Sequence, residues 1–264
     1  MSEKIKKILL KKNKSKIVCL TAYSKSIAKI LDKHVDLILV GDSMANVLYG
    51  HKNTDKISLQ NIIQHSLSVK MGVKRSLLVV DMPKGSYSSK KSALRNARSV
   101  VNNTGCDAIK IESNNKNFSI IKYLVKKKIP IMGHIGFTPQ FKKKFKVEGQ
   151  NKKQTNKLLK EAKLIESAGA FSIVLECLSP KSAKLITEEL NIPTIGIGSS
   201  TYCDGQILVT DDMLGISGFY PKFVKKFANL SRIIDKAVKK YTREVKKKQF
   251  PNTKNFLNGT KIRK

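Results

Sequence analysis

Eight short apolar segments rich in Ile, Val and Leu recur along the chain, with more polar segments between them. Within each apolar segment the hydrophobic positions run almost continuously and do not alternate with polar ones. That pattern is typical of parallel strands that are covered on both faces. The predicted strands are residues 16–23, 37–42, 76–83, 108–113, 129–136, 171–178, 192–200 and, with the weakest pattern, 205–210.

Several segments between the strands carry apolar residues at helical spacing. This spacing predicts amphipathic helices over residues 58–73, 117–128 and 152–169. The third helix ends in Gly169, which fits the preference for glycine after the C-terminus of a helix. Strands therefore alternate with helices along the chain, as they do in α/β proteins.

About eight β-then-α units in a chain of 264 residues match the number and length expected of a (β/α)₈ (TIM) barrel. A doubly wound open sheet is the alternative, although it usually has fewer strands for this length. No G-x-G-x-x-G sequence opens a predicted helix, and there is no P-loop. We expect a single α/β barrel domain over residues 1–264, with a basic N-terminal extension at about 1–15 and a Lys-rich C-terminal tail at about 242–264.

The charge of the chain is strongly positive. It has 52 Lys and Arg against 19 Asp and Glu, for a formal net charge of +33. A concentrated positive charge would favour nucleic-acid binding, but lysines occur in nearly every predicted helix and loop. The chain also lacks Trp and shows no interleaving of aromatic and basic residues for base stacking. The composition predicts a solvated basic surface and no specific nucleic-acid partner.

The sequence gives little indication of a membrane-spanning segment, a signal peptide or paired cysteines. The apolar runs are far shorter than the roughly 20 residues of a membrane-spanning helix. The N-terminal apolar stretch at residues 8–10 is too short for a signal peptide, so we expect a cytoplasmic protein with no membrane partner. The four cysteines form no C-x-x-C pair, which favours reduced, buried thiols over a zinc site or disulfides.

Polar side chains stand at the ends of five consecutive predicted strands, where the active site of a (β/α)₈ barrel lies. Any one of them has a plain alternative as a helix cap, a turn residue or a satisfied core histidine. Acidic residues are scarce in this chain, however, and a cluster of them at one rim is costly without a function. These side chains are Asp42 and Ser43, then Asp81, then Lys110 and Glu112, then His134, and then Glu176.

The residue types at this rim suit a hard divalent cation. Asp42, Asp81 and Glu112 offer oxygen ligands, which favour Mg²⁺ sharing its shell with water and substrate oxygens. Such an ion can chelate a 2-oxo acid and stabilise its enolate as a Lewis acid. Lys110 would then add charge for the substrate carboxylate, and Glu176 is the free carboxylate for proton transfer beside the carbonyl.

Seven motifs occur in one order between about Ile17 and Phe227: "LVGDSM", "GHKNT", "VVDMPKGSY", "AIKIES", "IMGHIGFTPQ", "VLECLS" and "IPTIGIG…CDGQILVTDDMLGI". Together they resemble the ketopantoate hydroxymethyltransferase family. The resemblance implies a barrel of the phosphoenolpyruvate/pyruvate type that forms homo-oligomers, decamer-like in that family. It also implies transfer of a hydroxymethyl group from 5,10-methylenetetrahydrofolate to 3-methyl-2-oxobutanoate, giving 2-dehydropantoate on the route to pantothenate and coenzyme A.

The resemblance also implies a role for each polar side chain at the rim. It places Mg²⁺ at two aspartates and a glutamate, the oxo acid beside them, and the proton acceptor on a later strand. The implied Mg²⁺ residues are Asp42, Asp81 and Glu112; the substrate set adds Ser43, Lys110 and His134 to the two aspartates; and the catalytic base is Glu176.

The sequence departs from the family pattern at four places. Ser24 replaces an acidic residue, Lys84 replaces an aromatic one, and residues 141–145 (Phe-Lys-Lys-Lys-Phe) replace a glycine-rich stretch. The "GIGSS" of residues 196–200 stands where the family usually has "GIGAG". None of these falls on a metal, oxo-acid or base position, so they bear on the folate side and on the loop at 141–150.

Two other activities compete with this interpretation. "GDSM" resembles the signature of GDSL esterases, with Ser43 as nucleophile, but those enzymes need a late Asp-x-x-His. No such sequence occurs here, and a serine without its base is a weak nucleophile. The alternative within the same barrel superfamily is another metal-dependent 2-oxo-acid carbon–carbon lyase. Those lyases typically carry a cysteine base in a lid loop, and no cysteine is placed in that way.

Overall fold

The computed structural model describes residues 2–113, 117–218 and 220–256. Eight parallel strands form a closed barrel in chain order, each hydrogen-bonded to the next and the eighth to the first. The predicted (β/α)₈ fold is confirmed, and each strand lies inside its predicted segment. The strands are β1 Ile17–Thr21, β2 Leu37–Val40, β3 Leu77–Asp81, β4 Ala108–Glu112, β5 Ile131–Gly136, β6 Ser172–Glu176, β7 Thr194–Ile197 and β8 Gly205–Leu208.

Helices follow most of the strands, and the three predicted from periodicity are present with shorter bounds. Ser58 caps the first of these three and Asn117 precedes the second, while Gly169, with φ +93°, follows the third. No helix among the described residues is both long and apolar enough to cross a membrane. The helices are α1 Glu3–Leu10, α2 Lys25–Leu31, α3 Met44–Val47, α4 Leu59–Lys70, α5 Lys90–Thr104, α6 Phe118–Lys126, α7 Lys152–Ser167, α8 Pro180–Glu189, α9 Thr210–Met213 and α10 Leu230–Lys246, with 3₁₀ turns at Thr54–Lys56 and Thr253–Asn255.

The strands divide the core into two layers because successive side chains point to opposite faces of the sheet. Side chains such as Cys19 and Leu39 fill the inside of the barrel, whereas Ile38, Leu78 and their counterparts pack against the surrounding helices. All strands run in the same direction, so their C-terminal ends meet at one opening. The polar strand-end residues therefore face a shared space above the apolar filling.

The basic N-terminal extension forms helix α1, which lies across the opposite end of the barrel. Ile5 and Ile8 of this helix are buried in the inner apolar layer. Its lysines and those just after it reach residues that immediately precede strands: Lys4 Nζ lies 2.9 Å from the Ser76 carbonyl oxygen, Lys11 Nζ 2.7 Å from Asp36 Oδ1, and Lys12 Nζ 2.9 Å from Asp204 Oδ2. Helix α1 thus closes the N-terminal end of the barrel.

The C-terminal helix α10 is separate from the ring of helices. Neighbouring helices pack in order from α4 to α8, and α2 packs on α4. No side chain of α10 is buried, and the helix runs past the predicted start of the Lys-rich tail at 242. Residues 257–264 of that tail lie outside the described residues.

The outer face of strands β8 and β1 is not covered by a helix among the described residues. Val18 of β1 points away from the barrel and is 48% exposed, and Gln206 of β8 is exposed beside it. The corresponding outward residues of the next strands, such as Ile38 and Leu78, are fully buried. The ring of helices is therefore open over β8 and β1.

Candidate active site

The strand ends enclose one cavity of about 750 Å³. Its floor is apolar, with Leu39, Val174 and Ile207 from the inside of the barrel, and a cluster of acidic and basic side chains comes from the ends of β2 to β6. All seven residues predicted from the sequence line this cavity: Asp42, Ser43, Asp81, Lys110, Glu112, His134 and Glu176.

The ends of β2, β3 and β4 meet in a buried polar cluster. Lys110 Nζ lies 2.6 Å from Asp81 Oδ1, and the backbone N–H of Asp42 donates to Asp81 Oδ2 at 3.0 Å. Gly41 permits this approach, since a Cβ there would lie 2.8 Å from Ser43 Oγ and 3.4 Å from Asp81 Oδ2. A larger residue at this position of the "GDS" stretch would displace Ser43 Oγ.

Ser43 is hydrogen-bonded to a tyrosine. Tyr23 OH, which is buried, lies 2.9 Å from Ser43 Oγ at the rim of the cavity. His134 lies beside Glu112 and Glu176 instead, and no Asp-x-x-His sequence supplies a base for this serine. The arrangement supports Ser43 as a hydrogen-bonding group and gives no support to a serine nucleophile.

His134 lies between two glutamates. Its Nδ1 is 3.6 Å from Glu112 Oε1 and its Nε2 is 3.1 Å from Glu176 Oε2, although neither approach has hydrogen-bond geometry. Burial, followed by the charge of Lys110, lowers the pKa of His134 well below its ordinary value. The imidazole is therefore neutral at physiological pH and adds no positive charge to the cluster.

Burial and mutual repulsion disfavour ionisation of the carboxyl groups. Burial and then Asp81 raise the pKa of Asp42 to about 7, and burial raises that of Glu176 to about 8. The pKa of Glu112 is raised well above its usual range by burial and then by Asp42. Burial lowers the pKa of Lys110, but the neighbouring carboxylates outweigh it and keep the amine protonated.

The excess of carboxylates fits a divalent cation. Four acids surround a single contacting lysine, and Oε1 of Glu112 accepts no hydrogen bond among the described residues. In the part of the chain that the structure describes, no three His, Cys, Asp or Glu side chains are arranged to hold one ion together. Mg²⁺ usually takes one or two carboxylates and completes its shell with water and substrate oxygens. The donor set therefore fits a hydrated Mg²⁺ and not a closed cage of protein ligands.

The metal-free protein should lose stability as the pH rises. Asp42 and Glu176, whose pKa values are about 7 and about 8 when folded, titrate near pH 4 when unfolded, so the folded state holds the extra protons. Their contribution is full below about pH 4 and is lost as the pH rises through 7 to 8. In EDTA, urea denaturation should show a falling free energy of unfolding from pH 5.5 to 8.5. Mg²⁺ should offset much of the fall, and a flat metal-free profile would contradict these pKa values.

Gln140 is a site residue that the sequence reasoning missed. It lies within the motif "GHIGFTPQ", but its spacing to the acids gives no signal. Its backbone N–H donates to Glu112 Oε2 at 3.0 Å, and its Nε2 donates to Asp42 Oδ2 at 2.9 Å. The loop after β5 thus connects acids from two other strands.

The mouth of the cavity is aromatic and basic. The rings of Phe137 and Phe145 stack with centroids 4.2 Å apart, and Phe223 also lines the cavity. Lys84 pairs with Asp55 at 3.0 Å, and Lys142 pairs with Glu148 at 2.8 Å. The departures from the family pattern at 84 and 141–145 therefore lie at the entrance and not among the acids.

Comparison with known proteins decides the family. A model of the family described as Ketopantoate hydroxymethyltransferase matches residues 3–253. The chain belongs to the ketopantoate hydroxymethyltransferase family. It is accordingly an enzyme of the hydroxymethyltransferase type, as the motifs indicated, and the esterase and lyase alternatives are set aside.

Curated relatives agree with membership of the ketopantoate hydroxymethyltransferase family. A 3-methyl-2-oxobutanoate hydroxymethyltransferase of Pelagibacter ubique (strain HTCC1062) is 49% identical over 254 residues, covering 96% of this chain and 99% of the relative. A protein of the same name from Anaplasma marginale (strain St. Maries) is 45% identical over 260 residues, covering 97% and 94%.

Solved structures show where the ketopantoate hydroxymethyltransferase barrel belongs among folds. A 2,3-dimethylmalate lyase, described as a PEP mutase/isocitrate lyase superfamily member, has a TM-score of 0.60 at 14% identity, covering 97% of this chain and 92% of that one. A phosphonopyruvate hydrolase in complex with oxalate and Mg²⁺ has a TM-score of 0.61 at 11% identity, covering 96% and 93%. At these identities the likeness is one of fold alone, and it agrees with the (β/α)₈ barrel.

Proposed function

We propose that this enzyme joins the one-carbon unit of 5,10-methylenetetrahydrofolate to C3 of 3-methyl-2-oxobutanoate, with water supplying the hydroxyl, so that 2-dehydropantoate forms and tetrahydrofolate is released. The observation that carries the proposal is the buried cluster of Asp42, Asp81, Glu112 and Lys110 in one cavity, with Glu176 beside it. The decisive assay is formation of 2-dehydropantoate that depends on both substrates and on Mg²⁺. Purified enzyme that forms no product under these conditions would overturn the proposal.

Asp42, Asp81 and Glu112 are the residues that would hold Mg²⁺, one or two of them directly and the rest through water ligands of the ion. When bound, the ion would polarise the keto oxygen of the oxo acid and favour its enolate. The two aspartates meet through the 3.0 Å contact of the Asp42 N–H with Asp81 Oδ2, and Glu112 presents an oxygen without a hydrogen-bond partner among the described residues. The raised pKa values of Asp42 and Glu112 also mean that these groups gain most from a cation.

Three side chains are assigned to the oxo acid. Lys110 is buried, and its charge suits the substrate carboxylate or keto oxygen. Ser43 is oriented by its hydrogen bond to Tyr23 OH and can contact the same oxygens. Neutral His134 shapes the wall next to Glu176 without competing with the metal for the acids. The apolar floor suits the branched alkyl end of the substrate.

Glu176 is assigned as the base that removes the C3 proton. Its carboxylate ends β6, lies in the same cavity and makes no ion pair with a lysine among the described contacts. Burial raises its pKa to about 8, which makes the carboxylate a stronger base than an exposed glutamate. The proton would reside on a Glu176 carboxyl oxygen until the carbon–carbon bond to the one-carbon unit has formed.

The folate is placed at the mouth of the cavity. The aromatic side chains there offer stacking surfaces for the pterin, and lysines offer charge for its glutamyl carboxylates. Lys143 lines the mouth and forms no ion pair with any of the described residues. Lys143→Glu should raise the KM for methylenetetrahydrofolate several-fold and leave the KM for the oxo acid unchanged, as steady-state kinetics would show. Lys153→Glu, on α7 outside the cavity, is the control; an equal change in both variants would count against this placement.

A homo-oligomer is proposed from the detached helix and the uncovered barrel face. The exposed stripe of α10 consists of Ile233, Ile234, Val238, Tyr241 and Val245. Each chain thus has one amphipathic helix, α10, whose apolar face is exposed. It also has one barrel face, over β8 and β1, that no described helix covers. If two copies exchange their α10 helices, each helix covers the exposed β8 and β1 face of the other copy. The resulting interface is closed and isologous. Two exchanged helices and the faces they cover would bury on the order of 2,000 Å², within the range of stable dimers.

The start of α10 is fixed, which argues against the helix folding back onto its own barrel. The backbone N–H of Leu230 donates to the Leu214 carbonyl at 2.8 Å, and that of Phe227 donates to the Met213 carbonyl at 2.8 Å. Ser231 Oγ also donates to the Gly215 carbonyl at 2.7 Å. These bonds hold the beginning of the helix beside α9 and direct it away from the barrel.

Val238→Asp should therefore reduce the assembly to a smaller species. The substitution places a charge in the middle of the apolar stripe, where burial against a second copy would be costly. Light scattering after gel filtration measures the mass, and Lys236→Asp, on the opposite polar face of α10, is the matched control. A monomeric wild type, or an unchanged mass for Val238→Asp, would rule out this assembly.

A further inference from the structure

Gln140 joins four segments of the chain in the middle of the site. Its side chain is almost completely buried, in the loop that follows β5. The backbone N–H donates to Glu112 Oε2 at 3.0 Å, and Nε2 donates both to Asp42 Oδ2 at 2.9 Å and to the Met82 carbonyl at 3.0 Å. Tyr87 OH donates to Gln140 Oε1 at 2.5 Å. Every polar group named here has a partner, so the amide has one orientation.

The pattern of donors has a chemical consequence for the acids. One residue holds one oxygen of Asp42 through its side chain and one oxygen of Glu112 through its main chain. The donors are neutral, so they fix the two carboxylates without supplying a positive charge that would compete with a metal ion. A lysine or arginine at this position would neutralise the acids and weaken their attraction for Mg²⁺.

Tyr87 fixes the amide in turn. The phenol is buried, and its hydrogen bond to Oε1 leaves the two hydrogens of Nε2 for the oxygens of Asp42 and Met82. The Met82 carbonyl follows β3 directly and so ties the amide to the strand that carries Asp81. Gln140 is therefore held from the β3 side while it orients acids from β2 and β4.

We infer that Gln140, oriented by Tyr87, is a positioning residue that sets the Asp42 and Glu112 carboxylates for a divalent cation. The inference rests on the proposed function, since it assigns these acids to Mg²⁺. Residues that orient metal ligands typically change metal affinity by about 10–100-fold when they are replaced. We expect a loss of metal affinity in the same range when the hydrogen bond from Gln140 Nε2 to Asp42 Oδ2 is removed.

Gln140→Met tests the inference, because methionine has a similar length and keeps the backbone N–H to Glu112. Metal-free protein of full length is titrated with Mn²⁺ alone by calorimetry. The variant should bind Mn²⁺ about 10–100-fold more weakly than wild type. Its apparent KM for Mg²⁺ should rise, while kcat at saturating Mg²⁺ should change much less. Should Gln140→Met fail to fold, Gln140→Asn, which keeps the amide but is too short to reach Asp42, should show the same loss.

A double-mutant cycle separates positioning from general destabilisation. Tyr87→Phe alone should weaken Mn²⁺ binding, and it should add little in the Gln140→Met background because it acts through the amide. Thr187→Val is the control: it removes a buried hydroxyl that lies 2.8 Å from Thr194 Oγ1 and outside the cavity, and it should not change Mn²⁺ binding. Equal affinity of Gln140→Met and wild type, or an equal loss in Thr187→Val, would overturn the inference alone. A wild type that binds no Mn²⁺ would overturn both the metal assignment and the inference.

Discussion

Glu176→Gln is expected to reduce kcat by about 10²–10⁴-fold, the usual contribution of a general base. The amide keeps the size of the side chain at the end of β6 but cannot accept the C3 proton of 3-methyl-2-oxobutanoate. Proton NMR in D₂O measures this step directly, since exchange at C3 needs the oxo acid and Mg²⁺ but no folate. Exchange should be lost to the same extent as turnover, because both begin with the same proton transfer.

Glu176→Gln should still bind the metal ion and the oxo acid. Glu176 is not among the residues assigned to the metal, so Mn²⁺ and oxo-acid affinities should stay within a few-fold of wild type. Glu161→Gln is the matched control: Glu161 is also a buried acid whose pKa burial raises, but it lies on α7 outside the cavity. Exchange at the wild-type rate in Glu176→Gln would show that another group is the base.

Lys110→Met is expected to have the second large effect, on stability as well as on activity. It removes the cation that contacts Asp81 at 2.6 Å and leaves the buried acids without a compensating charge. Breaking a buried ion pair in this way costs about 3–5 kcal/mol in the free energy of unfolding. Turnover should fall by at least about 10²-fold, since the substrate oxygens lose a charged partner. Urea denaturation and steady-state kinetics measure the two effects separately.

Replacing Lys110 and replacing Asp81 should lower the free energy of unfolding by different amounts. Asp81→Asn should destabilise less than Lys110→Met, because Lys110 still lies near Asp42 and Glu112, which also raise its pKa. Adding Asp81→Asn to Lys110→Met should recover part of the lost stability, since it removes one of the uncompensated acids, but it should recover no activity. Equal destabilisation by the two single variants would show that Lys110 and Asp81 form an isolated pair instead of part of a larger cluster.

The sequence predicted the fold and the members of the site through two general rules. Near-continuous apolar segments located all eight strands, because a parallel strand is covered on both faces whatever its helices look like. The rule that barrel active sites lie at the C-terminal strand ends then brought together residues from Asp42 to Glu176, over a span of more than 130 positions. The predicted segments extend beyond most of the strands, because the pattern of apolar residues continues into the loops.

Three other features could not be predicted from the sequence, each for a physical reason. Gln140 reaches Asp42 across 98 positions of sequence, and no periodicity relates a loop residue to a strand end on the far side of a barrel. The neutrality of His134 depends on its burial and on the nearby charge of Lys110. The basic N-terminal extension gave little sign of being structural, because its two buried residues, Ile5 and Ile8, are surrounded by lysines.

Helix α1 has a consequence for the order in which the protein can fold. It leaves the ribosome before the strands of the barrel, yet Lys12 contacts the Thr187 carbonyl and Asp204, which lie 175 and 192 positions later in the chain. The end of the barrel that α1 covers does not exist until β8 has paired with β1. Contacts of such long range are slow to form, because chain closure must come before the contact that rewards it. A nascent or truncated chain that lacks β8 would therefore keep α1 undocked, and the pairing of β8 with β1 would close the barrel and secure α1 in one step.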